Sequence, residues 1–253
     1  MDRLIFTSNA TIAEQATARQ VLVNELANVA TIAFKRSYDV ALQTVKAEGP
    51  GFDTRFQAQA IARDRIRLNS GAIMATGRPM DVAMAHNSVM AVLAQNGDVA
   101  FTRRGDLKVA PNGQLVNGSG HVILGQNGPI NVPPGVTPYV NENGSVYGVA
   151  GNATSQTAAQ LIDNLRLRDA SKTDLSRRED GLFQVQGRPP GADIDPSGTP
   201  PAVIPKALEG SNVNPVETMT LLIDQARSFE TQIKVIKEMK ELDTSGESMM
   251  KIS

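Results

Sequence analysis

Apolar positions follow different rhythms along this chain. From about Ser8 to Thr31 there is no Gly or Pro, and Ile12, Ala16, Leu22, Val23, Leu26, Val29 and Ala30 recur at helical three-and-four spacing. Glu14, Gln15, Gln20 and Glu25 fall largely elsewhere, which predicts one amphipathic helix with many small residues on its apolar face. From Phe34 the stripe is lost: "SYDVALQTVKAEGPGF" breaks at Gly49-Pro50-Gly51, and "RFQAQAIARDRIRLNSGAIMATGRPMDVAM" is short alternation, predicting an extended, strand-forming connection. Between Gly77 and Gly151 the chain is punctuated at Asn96-Gly97, Asn112-Gly113, Asn117-Gly118, Asn127-Gly128 and Asn143-Gly144, pairs that tolerate the positive φ of tight hairpin turns. The intervening "DVAFT", "DLKVA", "HVILG" and "SVYGVA" have strand length and β-branched content, predicting antiparallel β structure. Further on, Leu165 and Leu167 alternate with Arg166 and Arg168 as in a half-buried strand, and "GRPPGADIDPSGTPPAVIP" reads as an exposed loop or linker.

The sharpest helix signal is "EGSNVNPVETMTLLIDQARSFE". Asn214 stands as N-cap, Pro215 at the first helical position where a missing N–H is no loss, and Glu217 where a carboxylate reaches back to the cap. Met219, Leu222, Ala226, Phe229, Ile233 and Ile236 then recur in steps of three and four, a heptad-like seam, with Asp224, Arg227, Glu230, Lys234 and Lys237 on the other faces. Two amphipathic stripes at opposite ends are most simply buried by pairing. The expected fold class is therefore α+β: long N- and C-terminal helices paired as a coiled-coil-like domain, with an extended connector and an inserted antiparallel all-β domain. The expected boundaries are an N-terminal helix over 1–33, a connector over 34–76, a β domain over 77–200, and a return segment with the C-terminal helix over 201–253. A two-helix pair leaves apolar edges for neighbouring molecules to cover.

Composition narrows the function classes. At 253 residues the chain can bury a core of its own. Only 4% of residues are aromatic and none is Trp, which argues against a large ring-lined cofactor pocket. With 25 basic and 26 acidic residues, no long-range field draws the chain to nucleic acid or anionic membranes. The absence of cysteine removes disulfides, thiolate metal sites and cysteine nucleophiles. The opening "MDRLIFTSNATIAEQATARQ" lacks the basic start, apolar run and small-residue cleavage site of a signal peptide, so export without one is expected if the protein leaves the cytoplasm.

Candidate chemistry is sparse. His86 and His121 have no evident His or Cys partner and read as ordinary strand or turn residues. "DIDPSG", Asp193 to Gly198, resembles the opening of a calcium loop, but Ile204 stands where a bidentate Glu is needed, so a solvated turn is expected. "GSGHVILG" lacks the spacing of a dinucleotide fingerprint and reads as turn chemistry. Arg63, Arg65 and Arg67 share a strand face, read as salt-bridged surface. Asp174, Glu179, Asp180, Asp193 and Asp195 could supply a glycosidase pair, but nothing places two of them across a cleft. No catalytic, cofactor-binding or metal site is expected.

Three separated segments carry a resemblance. "ANVATIAFKR", Ala27 to Arg36, with Asn28, Phe34 and Lys35, resembles the Asn-rich signature of the flagellar rod and hook family of bacterial axial proteins. "GRPMDVAM", with Gly77, Arg78, Pro79 and Asp81, together with "FTRRGDLKVAPNGQLVNGSGHVILGQNGPI", is similar to that family's central β core. "LEGSNVNPVETMTLLIDQARSFETQIKVI", with Glu209, Ser211, Asn212 and Val213, is similar to its terminal helix signature. Two departures stand out. Ala33 replaces the family's usual Gly two residues after the signature Thr, so a left-handed turn is expected to be remodelled there, and "NSVMAVLAQNGDVAF" stands in place of a Gly-Phe-Phe run.

The resemblance implies a structural subunit of the flagellar basal-body proximal rod. Such a subunit is exported by the flagellar type III apparatus without a cleaved signal and assembles through its terminal helices into a hollow helical drive shaft, which transmits torque and encloses the export channel in the periplasm-spanning rod. The implied partners are further copies of the chain, the neighbouring rod proteins FlgG, FlgC and FlgB, surrounding basal-body ring proteins and the export apparatus, with no cofactor and no nucleic acid. The expected subunit-interface residues are Leu22, Leu26 and Val29 on the first helix, and Met219, Leu222, Ala226, Phe229, Ile233 and Ile236 on the last. The alternatives are the distal rod subunit or another hook-type subunit and, from a different class, a secreted carbohydrate-binding or hydrolytic β protein.

Overall fold

A computed structural model describes residues 2–46, 56–150, 159–196 and 200–250. The chain divides into two compact units: Met1–Ala27, Tyr38–Arg63 and Asn214–Ser253 form one, and Asn28–Ser37 with Asp64–Val213 the other.

The first unit holds helix α1 (Asp2–Ala27), strands β1 (Tyr38–Lys46) and β2 (Phe56–Asp64) paired in a two-stranded sheet, and helix α2 (Pro215–Met250). The expected break at Gly49-Pro50-Gly51 lies outside the described residues. Helix α1 ends short of Thr31. Asn28 to Ala30 form a turn in which the Thr31 N–H donates to the Asn28 carbonyl at 3.1 Å and the Thr31 hydroxyl to the Asn28 side chain, also at 3.1 Å. Short polar side chains that bond locally offer the backbone an alternative to another helical turn.

The second unit is built from β3 (Ile73–Ala75), β4 (Val82–Met84), β5 (Ser88–Leu93), β6 (Val99–Thr102), β7 (Leu107–Val109), β8 (Leu115–Asn117), β9 (Val122–Gly125), β10 (Gly128–Pro129), β11 (Val136–Val140), β12 (Ser145–Ala150), β13 (Gln160–Asn164), β14 (Leu167–Asp169), β15 (Leu175–Arg177), β16 (Phe183–Val185), β17 (Val203–Pro205) and β18 (Ala207–Glu209). Its main sheet runs β15-β16-β6-β5-β9-β8-β7, with β10 added to β9 and β14 to β5, and the pairing is antiparallel throughout. A three-stranded sheet β11-β12-β13 and two short antiparallel pairs, β17 with β4 and β18 with β3, complete it.

Strand β5 explains why the main sheet is covered on both faces. Its side chains alternate, so Met90 and Val92 enter one buried cluster with Ile123, Leu115 and Val146, while Val89 and Ala91 enter another with Phe101, Leu175 and Ile194. A strand buried on both sides needs a near-continuous apolar run, which "SVMAVL" supplies where the Gly-Phe-Phe run is absent. Leu165 and Leu167 are buried while Arg166 and Arg168 are partly exposed, the alternation that their sequence predicts. The Pro- and Gly-rich stretch is tied down at its middle and its end: Ile194 lies in the second cluster, and Val203 to Pro205 pair with β4.

The expected fold class is corrected by this architecture. The chain is mainly β-sheet, with helix confined among the described residues to one segment at each end. It is not an α+β fold organised by long paired helices with an inserted β domain. The connector is strand-forming, as its alternation predicts: it holds the β1–β2 sheet and β3. The helix contact is not a coiled-coil-like apolar seam. Gln15 donates to the Ser228 hydroxyl at 3.1 Å, and the Arg19 guanidinium stands over the Phe229 ring at 5.1 Å. The heptad reading overweighted helical periodicity, whereas the bulk of the apolar burial comes from short strands whose period of two is interrupted every few residues by turns.

Candidate functional site

Helix α2 begins where the cap residues stand. The Asn214 side chain accepts from the Val216 and Glu217 N–H groups at 3.1 and 3.4 Å, and its carbonyl takes the first helical bond from Thr218 at 3.0 Å, with Pro215 in the first turn. Beyond the cap, the least exposed face runs through Thr218, Leu222, Gln225, Phe229, Gln232, Ile236 and Met239. Leu222, Phe229 and Ile236 therefore share a half-buried face, while Met219, Ala226 and Ile233 lie on its exposed shoulder. Gln225 and Gln232 take the half-buried positions that apolar periodicity assigned to Ala226 and Ile233. Their Oε1 atoms, and that of Gln15 on α1, are buried without a hydrogen-bond partner among the described residues.

Much apolar surface on α2 stays uncovered: Val216 is 71% exposed, Leu242 66%, Ile223 53%, Met219 50% and Ile233 39%. On α1, Leu22 and Leu26 are half-buried and Val23 is exposed. Val29 is half-buried in the turn after α1, within the other unit, so the structure does not place it on a helix face. No described helix is long and apolar enough to cross a membrane.

In the second unit, residues of all three quoted motifs converge on one buried carboxylate. Glu209, at the end of β18, accepts from Lys35 Nζ at 2.7 Å and from Gly71 N–H at 3.1 Å through Oε1. Arg103 donates to the same carboxylate, at 2.7 Å to Oε2 and 3.0 Å to Oε1. All three charged side chains are fully buried. The remaining Arg103 donors reach the carbonyls of Met84, His86 and Ser88, and Lys35 also donates to the Asn69 carbonyl, so the cluster is densely hydrogen-bonded. Burial pushes the Lys35 ammonium below its ordinary range, and the bond and charge of Glu209 act against that shift.

Around this carboxylate the backbone is laced together. Asn212 accepts from the Arg36 N–H at 2.8 Å and donates to the Arg67 carbonyl at 2.9 Å, and Phe34 O accepts from the Asn212 N–H at 3.2 Å. Ser211 accepts from the Val213 N–H, and Val213 is buried. Arg177 donates to the Lys35 carbonyl and lies over the Phe34 ring at 4.2 Å. The turn at Ala33 is not remodelled. Ala33 keeps a left-handed φ of 57°, because its N–H is committed to the Glu209 carbonyl at 2.8 Å and its methyl is buried.

The 77–81 part of the β-core motif forms a turn of its own. Gly77 has φ 73°, and the buried Asp81 accepts from the Thr76 hydroxyl at 2.6 Å and Arg78 Nε at 2.7 Å. Its carbonyl accepts from the Lys206 N–H, and Pro79 O accepts from Val140 N–H. Arg103 is the residue that sequence reasoning missed. "TRRGD" marked it as part of a motif, yet nothing local shows that the first of two adjacent arginines is buried and the second, Arg104, pairs with Asp106 nearer the surface.

The remaining candidates lie in ordinary settings. His121 is buried at a turn where its N–H donates to Asn117, and the His86 carbonyl accepts from Arg103. Asp193 is bound by Arg166 at 2.6 Å and Arg168 at 2.8 Å, Asp195 pairs with Arg188, and Asp174 with Arg65. Ser197 and Gly198 lie outside the described residues. Burial alone would raise the Asp193 carboxyl, but the bonds from Arg168 and Arg166 outweigh it and hold the group below the usual carboxylate range.

These features, a capped terminal helix with uncovered apolar faces and motifs knotted at one carboxylate, agree with comparisons to known proteins. Residues 87–148 match the flagellar hook protein FlgE/F/G D1 domain, and residues 204–249 match the flagellar basal body rod FlgEFG protein C-terminal region. The chain is 32% identical to the flagellar basal-body rod protein FlgF of Salmonella typhimurium strain LT2, with 100% of each chain covered. It is 31% identical to FlgF of Escherichia coli strain K12, covering 100% of this chain and 99% of the relative. The flagellar basal-body rod protein FlgG of Buchnera aphidicola subsp. Acyrthosiphon pisum is 27% identical, with 98% of each chain covered. With full-length matches at this identity and two family regions in order, the chain belongs to the flagellar FlgE/F/G rod and hook family of axial structural proteins.

Proposed function

We propose that this chain is an FlgF-type subunit of the proximal rod, joining copies of itself and neighbouring rod proteins through its terminal helices, without catalysis. The observation that carries the assembly reading is the uncovered apolar surface of α2, with Met219 and Ile233 beside the half-buried Leu222, Phe229 and Ile236. Covering the exposed part of each such side chain contributes on the order of 1 kcal/mol, so several shared between neighbours sustain a polymer. Ala226 on α2, Leu22 and Leu26 on α1 and Val29 in the turn that follows it are the further residues of the proposed interface. The proximal rather than distal position is supported by the two FlgF relatives that match at 31–32% identity over the full length of this chain. As a rod subunit the protein would line the export channel, transmit torque and reach the periplasm without a cleaved signal.

The test is Ile233→Asp in a strain lacking the chromosomal gene. The wild-type chain is expected to be recovered in purified basal bodies, with its N-terminus intact by mass spectrometry, and to restore a rod that extends into its distal segment. The variant is expected to be exported and folded but absent from basal bodies. Recovery of the variant at wild-type levels would overturn the helix-interface reading, and a rod that reaches its distal segment without this chain would overturn the proximal position.

A further inference from the structure

The first segment of the β unit, Asn28–Ser37, lies beside the end of its last, which closes at Val213. Ala33 N–H bonds the Glu209 carbonyl, Phe34 O accepts from the Asn212 N–H, and the Arg36 N–H bonds the Asn212 side chain. The two backbone bonds fall in the same order along both segments, 33 with 209 and 34 with 212, so the segments run in the same direction. Tension applied through the ends of the chain draws the first segment towards its N-terminal side and the second towards its C-terminal side. For parallel neighbours those pulls oppose each other along a shared axis, and every cross-link is strained at once in shear. An antiparallel pair loaded the same way would peel apart one bond at a time.

The side chains concentrate cross-links at this position. Glu209 holds Lys35 from the entering segment, Arg103 from beyond β6 and the Gly71 backbone, while Asn212 ties Arg36 to Arg67 and Asn69. Gly71 is needed for the close approach, since a Cβ there would lie 2.3 Å from the Gly210 carbonyl oxygen. We propose that this junction is a shear clamp, centred on Glu209, that keeps the β unit closed when tension passes along the chain from one terminal segment to the other. Its purpose rests on the reading of the chain as a rod subunit, but the clamp is a property of the single chain.

The chain has no cysteine, so engineered single cysteines serve as handles for pulling the full-length protein. Pulled through its two ends at constant force, Glu209→Gln is expected to unfold the β unit roughly 100-fold faster than wild type, because two buried cations lose their counter-charge. Asn212→Ala, which leaves the buried ions intact, is expected to unfold about 10-fold faster and carries the test if Glu209→Gln does not fold. Val146→Ala, in the core away from the junction, is expected to unfold at close to the wild-type rate under the same force after correction for its equilibrium stability. Moving one handle to Asn112 changes the loading direction and is expected to abolish the difference between wild type and Asn212→Ala. The clamp is overturned if both junction variants unfold no faster than the core variant of matched stability, or if resistance is equal in both directions. Failure of the chain to enter rods would overturn the proposed function and leave this measurement unchanged.

Discussion

Ala33 holds a backbone conformation that costs an alanine about 1–2 kcal/mol, while glycine enters it freely and loses about 0.5–1 kcal/mol in chain entropy on folding. Ala33→Gly is therefore expected to stabilise the β unit by roughly 0.5–1 kcal/mol, seen as a rise of a few degrees in thermal midpoint. A drop would mean that the buried methyl contributes more than the strain removes. The charge on Asp193 has a definite pH signature. Its folded carboxyl titrates below the ordinary value of 3.8, so the stability it contributes is present above that pH and is lost as pH falls through the lower folded value. Asp193→Asn is expected to lower the melting temperature at pH 7, with the gap to wild type closing below about pH 3.8. A gap that persists in acid would show that Asn fails for packing reasons rather than charge. Both residues were visible in the sequence, Ala33 as a departure from a motif and Asp193 in an acidic loop, yet their partners Glu209 and Arg168 lie far along the chain or on another strand.

At the scale of the element, α2 shows how far periodicity reaches. The cap at Asn214 and Pro215 is local chemistry and is legible within four residues. The phase of the buried face is not, because steps of three and four through 222, 229 and 236 can be completed through Ala226 and Ile233 or through Gln225 and Gln232. Hydrophobicity favours the first choice, and the structure takes the second. A buried amide oxygen without a partner costs about 1–3 kcal/mol, so Gln232→Leu is expected to stabilise the helical unit by about 1–2 kcal/mol, measured as slower amide exchange along α2. Unchanged or faster exchange would show that Gln232 is satisfied in solution. Strand β5 shows the same limit, since its apolar run carries no polar alternation to mark its faces, and the sheet decides that Met90 and Val92 go to one side and Val89 and Ala91 to the other.

At the scale of the whole molecule, two compact units carry separable expectations. Ile233→Asp alters an exposed position in the helical unit, so it is expected to leave the melting of the β unit unchanged within about 0.5 kcal/mol while removing assembly. A coupled loss of both would identify Ile233 as structural. The sequence by itself determined what depends on neighbours along the chain: the helix cap, the turns at Gly97, Gly113 and Gly144, the strand alternation, and the ordered motifs that mark the family. Only the tertiary structure decided that β-sheet rather than paired helices dominates, which face of α2 is buried, and that Lys35, Arg103 and Glu209 meet as a fully buried ion cluster. The reason is physical: caps and turns are set by bonds spanning a few residues, whereas burying two cations against one carboxylate requires segments far apart in the chain to exclude water together.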